Sequence, residues 1–269
     1  MSLLYFKFMK QIFSLLLVLG VLLAGCSKPE QQGESTTATT TDFKTTSAAL
    51  PFSGYWLSES YFNDIKAHQS PQKSQEGSEE VFLVIPDSTL QPTMMVWNFH
   101  EGSEEITVLK KDDAYQLYEV VIDSLTRPLK DIKIISPTKI EIGNKTFVKI
   151  SPHAKTNEKN NPLILEEILF KGKYSLADGK EVEFKNNGEV TGLENYRYYQ
   201  PAIDYIGPGL QIDQVSLSSS EDKKEWMAFK FRGDTLLIHQ IKCVEFDKSN
   251  NECGLADFGA LKHTLVRKK

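Results

Sequence analysis

The chain is poor in cysteine, in long apolar runs and in catalytic signatures. It has three cysteines in 269 residues, Cys26, Cys243 and Cys253, so a disulfide-dense scaffold is excluded and the core must come from apolar packing. Acidic residues outnumber basic ones, 36 to 31, for a net charge of −5. Without a basic stripe, nucleic acid is not an expected partner. The histidines at positions 68, 100, 153, 239 and 263 make no HxH or HExxH spacing, and the carboxylates show no EF-hand order, so no metal is expected. Asp112-Asp113 reads as a turn. There is no GxSxG and no glycine-rich phosphate loop, so no catalytic residue and no cofactor is assigned. Paired carboxylates leave no local spacing, which keeps a hydrolase with dispersed carboxylates as a third-ranked reading.

What is present begins at the N-terminus. Lys7 and Lys10 precede an uncharged apolar or small-residue run from Ile12 to Gly25. That run is shorter than the roughly 20 residues of a finished membrane span and matches the apolar region of an export signal. It ends in Leu23-Ala24-Gly25-Cys26, which resembles the lipobox of bacterial lipoprotein signals. The resemblance implies cleavage before Cys26, acylation of its sulfur and amine, and a membrane anchor. Three acyl chains hold stably where one holds only marginally. Ser27 at the next position leans, by the same resemblance, toward the outer membrane of the cell envelope.

Export places the remaining cysteines in an oxidising compartment, so Cys243 and Cys253 are expected to form a disulfide. A metal site is the alternative, but the intervening VEFDKSNNE offers no His or Cys. Closing so short a loop contributes somewhat less than the roughly 3 kcal/mol estimated for fifteen residues.

Residues 27–50 are dominated by Ser, Thr, Gln, Glu and Gly. They cannot bury enough surface to offset their ordering entropy and read as a tether behind the lipidated Cys26. The folded character begins at Pro51. Ser58 caps a short amphipathic helix over 59–68, with Tyr61, Phe62 and Ile65 on one face. Short segments rich in β-branched and aromatic residues follow at 80–85, 93–99, 105–109, 115–121, 132–136, 139–142 and 146–150. Gly143-Asn144 is a hairpin signal, because both residues tolerate positive φ. The polar, proline-bounded stretch 151–162 reads as a linker between a first β-domain at 51–150 and a second at 163–269. In the second, Asn186-Asn187-Gly188 marks a hairpin, and strands fit 209–217, 226–231, 235–243 and 261–266. Arg232-Gly233-Asp234 spells an adhesion tripeptide but reads as a hairpin turn.

Regular short strands without long helices indicate an all-β fold of antiparallel, barrel-like sheets. Gly54-Tyr55-Trp56 is similar to the Gly-x-Trp opening of lipocalin-like domains, and Gly172-Lys173-Tyr174 is a weaker counterpart. Both halves also end in a basic strand, KTFVKI and LKHTLVRK. The resemblance implies two small lipocalin-like barrels in tandem; one larger continuous β-structure is the alternative.

Two segments are candidate binding surfaces, against the alternative that their aromatics are core or loop packing and that His100 is solvated near a turn. Trp97-Asn98-Phe99-His100 combines aromatics with an imidazole, the aromatics on one face and Asn98 and His100 on the other. Tyr196-Arg197-Tyr198-Tyr199 followed by Tyr205 has the composition of interfaces and of carbohydrate or peptide contacts. The expected function is a non-catalytic binding module for a small apolar or sugar ligand. The alternative is a structural or assembly partner of another envelope protein. A pocket lined by Trp97 or the tyrosines favours the first, and an exposed apolar patch favours the second.

Overall fold

The computed structural model describes residues 49–74, 80–89, 92–100, 102–120, 126–151, 163–220 and 223–269. The leader, Cys26, nearly all of the expected tether and the 152–162 linker lie outside these residues. Thr45–Lys269 form one compact unit.

The first sheet is a closed antiparallel barrel of eight strands: β1 (Gly54–Ser58), β2 (Phe82–Ile85), β3 (Thr93–Asn98), β4 (Gly102–Lys111), β5 (Ala114–Val120), β6 (Thr126–Ser136), β7 (Lys139–Ile142) and β8 (Lys145–Ser151). β1 pairs with both β2 and β8, so no edge remains. Alternation sorts the side chains. In β7, Ile140 and Ile142 are buried while Lys139 and Glu141 stay partly exposed. The interior is packed by Trp56, Leu83, Ile85, Met95, Ile106, Val108, Leu117, Ile132 and Phe147, and plugged from the chain entry by Leu50 and Phe52. Ala49, just before Pro51, bridges Ser88. Helix α1 spans Glu59–His68 and buries Tyr61 and Ile65. Ser58 precedes it, but its hydroxyl meets Ser60 Oγ at 2.8 Å and does not cap the helix.

The second sheet holds β9 (Gly172–Ser175), β10 (Glu181–Phe184), β11 (Val190–Thr191), β12 (Tyr198–Pro201), β13 (Gln214–Ser218), β14 (Lys224–Arg232), β15 (Thr235–Asp247) and β16 (Glu252–Arg267). Their order is β11-β10-β9-β16-β15-β14-β13-β12. The two end strands meet through a bridge between Glu189 and Tyr198, with Val190 N donating to Arg197 O and Tyr199 N to Gly188 O, each at 2.8 Å. This sheet too is barrel-like, and the expectation of antiparallel barrel-like sheets holds. Its interior is aromatic: the Phe170 ring lies 5.0 to 5.8 Å from the rings of Phe184, Tyr199, Phe229 and Phe231. Such ring pairs add about 0.5–1.5 kcal/mol each beyond simple burial.

The two sheets open with the same corner. In the first, Trp56 Nε1 donates to Phe52 O at 2.8 Å and Lys149 of β8 lies 4.8 Å over the indole. In the second, Tyr174 OH donates to Phe170 O at 2.8 Å and Arg267 of β16 lies 5.0 Å over the phenol ring. Arg267 also donates to Lys171 O, Leu169 O and the Tyr174 hydroxyl. Both corners follow the pattern Phe-x-Gly-x-aromatic, and Gly54 and Gly172 have φ of 125° and 144°, which favours glycine.

Where sequence and structure differ, backbone chemistry explains it. The strand expected over 209–217 starts only at Gln214. Gly207 and Gly209 sit at φ of 142° and 73° around Pro208, and Pro has no N–H to pair. The apolar stretch 163–170, given no element from the sequence, is a helical turn ending in a π-turn over Glu166–Phe170, whose Lys171 N reaches back to Glu166 O at 2.8 Å.

Between the sheets the core is continuous. The outward faces of β1 to β3 contribute Tyr55, Leu57, Phe82 and Val96, α1 adds Tyr61 and Ile65, and the second half adds Ile164 and Leu165.

Candidate functional site

Three regions carry the chemistry, and the first joins two segments that are far apart in sequence. His100, after β3, places Nδ1 3.0 Å from Asp204 Oδ2 on the β12–β13 loop. The sequence offered this histidine no partner; the fold supplies one from 104 residues away. Behind the pair lies a buried polar knot. Asp213 accepts from Gln72 N at 2.9 Å and from the hydroxyls of Ser70 and Tyr205. Tyr205 OH also accepts from Gln214 N at 3.1 Å. Burial raises the Asp213 carboxyl above the usual range, against the pull of Ser70, Gln72, Lys73 and Tyr205. Burial likewise raises the Tyr205 phenol. This knot ties the turn after α1 to the second sheet, so Tyr205 is structural rather than a contact on the surface.

The expected shared face of Trp97 and Phe99 is absent. A bulge in the β3–β4 register between Val96 and Asn98 breaks the alternation. Trp97 faces outward and donates Nε1 to Glu104 Oε2 at 3.0 Å. Phe99 instead packs 5.5 Å from the Tyr61 ring.

The tyrosine segment divides. Tyr199 points into the second barrel, is 2% exposed, and donates to Lys185 O at 2.7 Å. Tyr196 sits half-buried at the rim, with its OH 2.5 Å from Glu225 Oε2. Burial, with Glu225 and Glu194 nearby, pushes that phenol up to about 12. Arg197 and Tyr198 remain outside, Tyr198 at 45% exposure.

The third region was not singled out from the sequence. β15 and β16 run far beyond the rest of their sheet: β14 pairs with β15 only as far as Gln240, while β15 and β16 continue to Asp247 and Glu252. Cys243 and Cys253 are joined by a disulfide within this extension, Cα atoms 5.7 Å apart. Register shifts around His239 and between Cys243 and Phe246 bend it. Three contacts trace its path. Lys230 Nζ, on the outer face of β14, lies 4.6 Å over the Phe258 ring. Gly209 N donates to Gly254 O at 3.0 Å, and Ala256 N to Gln211 Oε1 at 3.1 Å. The extension therefore lies back as a flap toward the outer face of β14 and the loop that leads into β13.

Among the described residues, half of the ten exposed large apolar residues lie on β14 to β16: Trp226, Val244, Phe246, Leu261 and Val266, each 47–55% exposed. The others, Trp97, Ile134, Ile135, Tyr198 and Ile206, are spread over other elements. Trp226 was legible: in KEWMAFKFR it alternates against Met227, Phe229 and Phe231, which face inward. Val244 and Phe246 were not, because bulges reset their side.

Among the described residues, Trp97 and Tyr198 stand exposed, outside both packed interiors. A crevice between the sheets, bounded by Tyr55, Phe82, Ile150, Ile164, Glu167 and Asn186, encloses about 20 Å³, room for about one water. The Tyr55 hydroxyl is buried with no hydrogen-bond partner among the described residues. No three His, Cys, Asp or Glu side chains converge to hold a metal among the described residues. No protein-family model, no curated protein and no solved structure matches the chain.

Proposed function

We propose that this chain is a lipid-anchored, non-catalytic protein of the bacterial cell envelope that binds a protein partner through the outside of its second sheet. The supporting observation is a contrast. Among the described residues, apolar side chains pack both interiors, while five of the ten exposed large apolar residues lie on three neighbouring strands. A carrier of small apolar or sugar ligands needs a cavity of several hundred Å³. An exposed apolar patch is the usual mark of a surface that meets another macromolecule.

The anchor rests on the leader and on Cys26, with the folded body joined to it through residues 27–48. Mass spectrometry of the mature N-terminal peptide tests this half: Cys26 is expected to carry acyl chains, and an unmodified Cys26 or an uncut leader refutes it. Native mass spectrometry of the same material tests the other half. A bare protein mass is expected, and a stoichiometric small molecule would restore the carrier reading.

A further inference from the structure

The far end of the flap combines three features. Phe246 and Val244 project from it at 55% and 50% exposure, on a stretch where two register shifts turn them outward from the strand pair. The Cys243–Cys253 bridge crosses the hairpin at this level, and the underside is fixed by Gly209, Gln211 and Lys230. The aromatic is therefore presented on a rigid support, so little ordering entropy remains to be lost on binding. The surrounding charge is net acidic. Between Gln240 and Phe258 the chain carries Glu245, Asp247, Glu252 and Asp257 against Lys242 and Lys248, with Lys230 of β14 reaching in at Phe258. Asp247 is occupied by Ser249 and Asn250 within the turn. The other three carboxylates take part in no ion pair among the described residues.

We infer that the flap is the docking element, and that its partner is a protein with an apolar pocket rimmed by Lys or Arg, which receives Phe246 with Val244 beside it. This rests on the surface-binding reading and narrows it to one end of one hairpin. Buried aromatics dominate interface energetics, and a rim of opposite charge speeds and orients encounter. The same acidity disfavours an anionic membrane surface as the occupant, since like charges repel there.

The test is in-cell photocrosslinking with the full lipoprotein. A photoreactive phenylalanine replaces Phe246 in one strain and Trp226 in another. The inference expects one defined protein adduct from position 246. Co-expressed unlabelled chain should compete it away, and a Phe246→Asp chain should compete at least about tenfold less well. Circular dichroism of purified Phe246→Asp protein should match the unaltered chain, because the side chain is exposed. Adducts from position 246 to phospholipid or to a second copy overturn the inference, as does the absence of any competed adduct. A competed protein adduct from Trp226 with none from Phe246 keeps the surface-binding reading and removes the flap. No competed adduct from either position removes both.

Discussion

Glu166 gives the sharpest physical prediction. It begins the π-turn that closes the second barrel, it is 4% exposed, and it lies among Leu169, Phe170, Tyr174 and Tyr199. Burial pushes its carboxyl up to about 8, against a hydrogen bond from its own backbone. The folded protein therefore holds a proton on Glu166 at neutral pH, whereas the unfolded chain ionises near the ordinary value of 4.5. Between those values the folded state binds more protons, so stability falls as pH rises. A tenfold difference in proton affinity between the two states corresponds to about 1.4 kcal/mol, which makes the loss between pH 5 and pH 9 on the order of 4 kcal/mol. Glu166→Gln removes the ionisation at nearly constant shape. Urea unfolding followed by tryptophan fluorescence at pH 5, 7 and 9 should show the variant gaining on the unaltered chain as pH increases. The difference should grow by a few kcal/mol and level off above about pH 8. Parallel stability curves for the two chains would refute the reasoning, whatever their offset.

Glu80 should behave in the opposite sense. Its burial raises the carboxyl, but Lys130 and Lys145 outweigh this and hold it below the usual range. Its contribution is present above the ordinary carboxylate value and is lost as pH falls through the lowered one. Glu80→Gln should cost about 1–3 kcal/mol near pH 7 and much less near pH 3, read from the same unfolding curves. Phe229→Ala opens the aromatic interior and should cost about 3–5 kcal/mol, whereas Trp226→Ala, three residues earlier on the other face, should stay within about 0.5 kcal/mol. Equal losses would mean that the faces of β14 are misassigned. Replacing both Cys243 and Cys253 by Ser should cost less than about 3 kcal/mol and should speed amide exchange across 241–258. Unchanged exchange in that stretch would show that the disulfide does not hold the flap.

Much of the fold was legible because it depends on neighbours in sequence. The helix at 59–68 follows from apolar spacing over three turns, and the hairpins at Gly143-Asn144 and Gly233-Asp234 follow from residues that accept positive φ. The paired corners were visible as Gly54-x-Trp56 and Gly172-x-Tyr174 followed by basic final strands. Their cause, Lys149 and Arg267 covering those rings, became visible only in three dimensions. Proximity along the chain, with the export signal expected from the leader, pointed to the Cys243–Cys253 bridge.

The site was less legible, and the reasons are physical. Alternation along a strand says which residues share a face, but a bulge reverses it, as at Asn98 and again between Cys243 and Phe246. Composition grouped Tyr196, Tyr198, Tyr199 and Tyr205 as one surface, yet barrel closure sends Tyr199 inside and the Asp213 knot buries Tyr205. His100 and Asp204 meet only because the two sheets pack together. By itself the sequence determined the strand content, the turns and the disulfide partners, since each is a matter of local chemistry. The tertiary structure alone decided which aromatics are core and which are surface, and laid the hairpin back over its own sheet. Those outcomes depend on register and on contacts between distant segments, which no local pattern encodes.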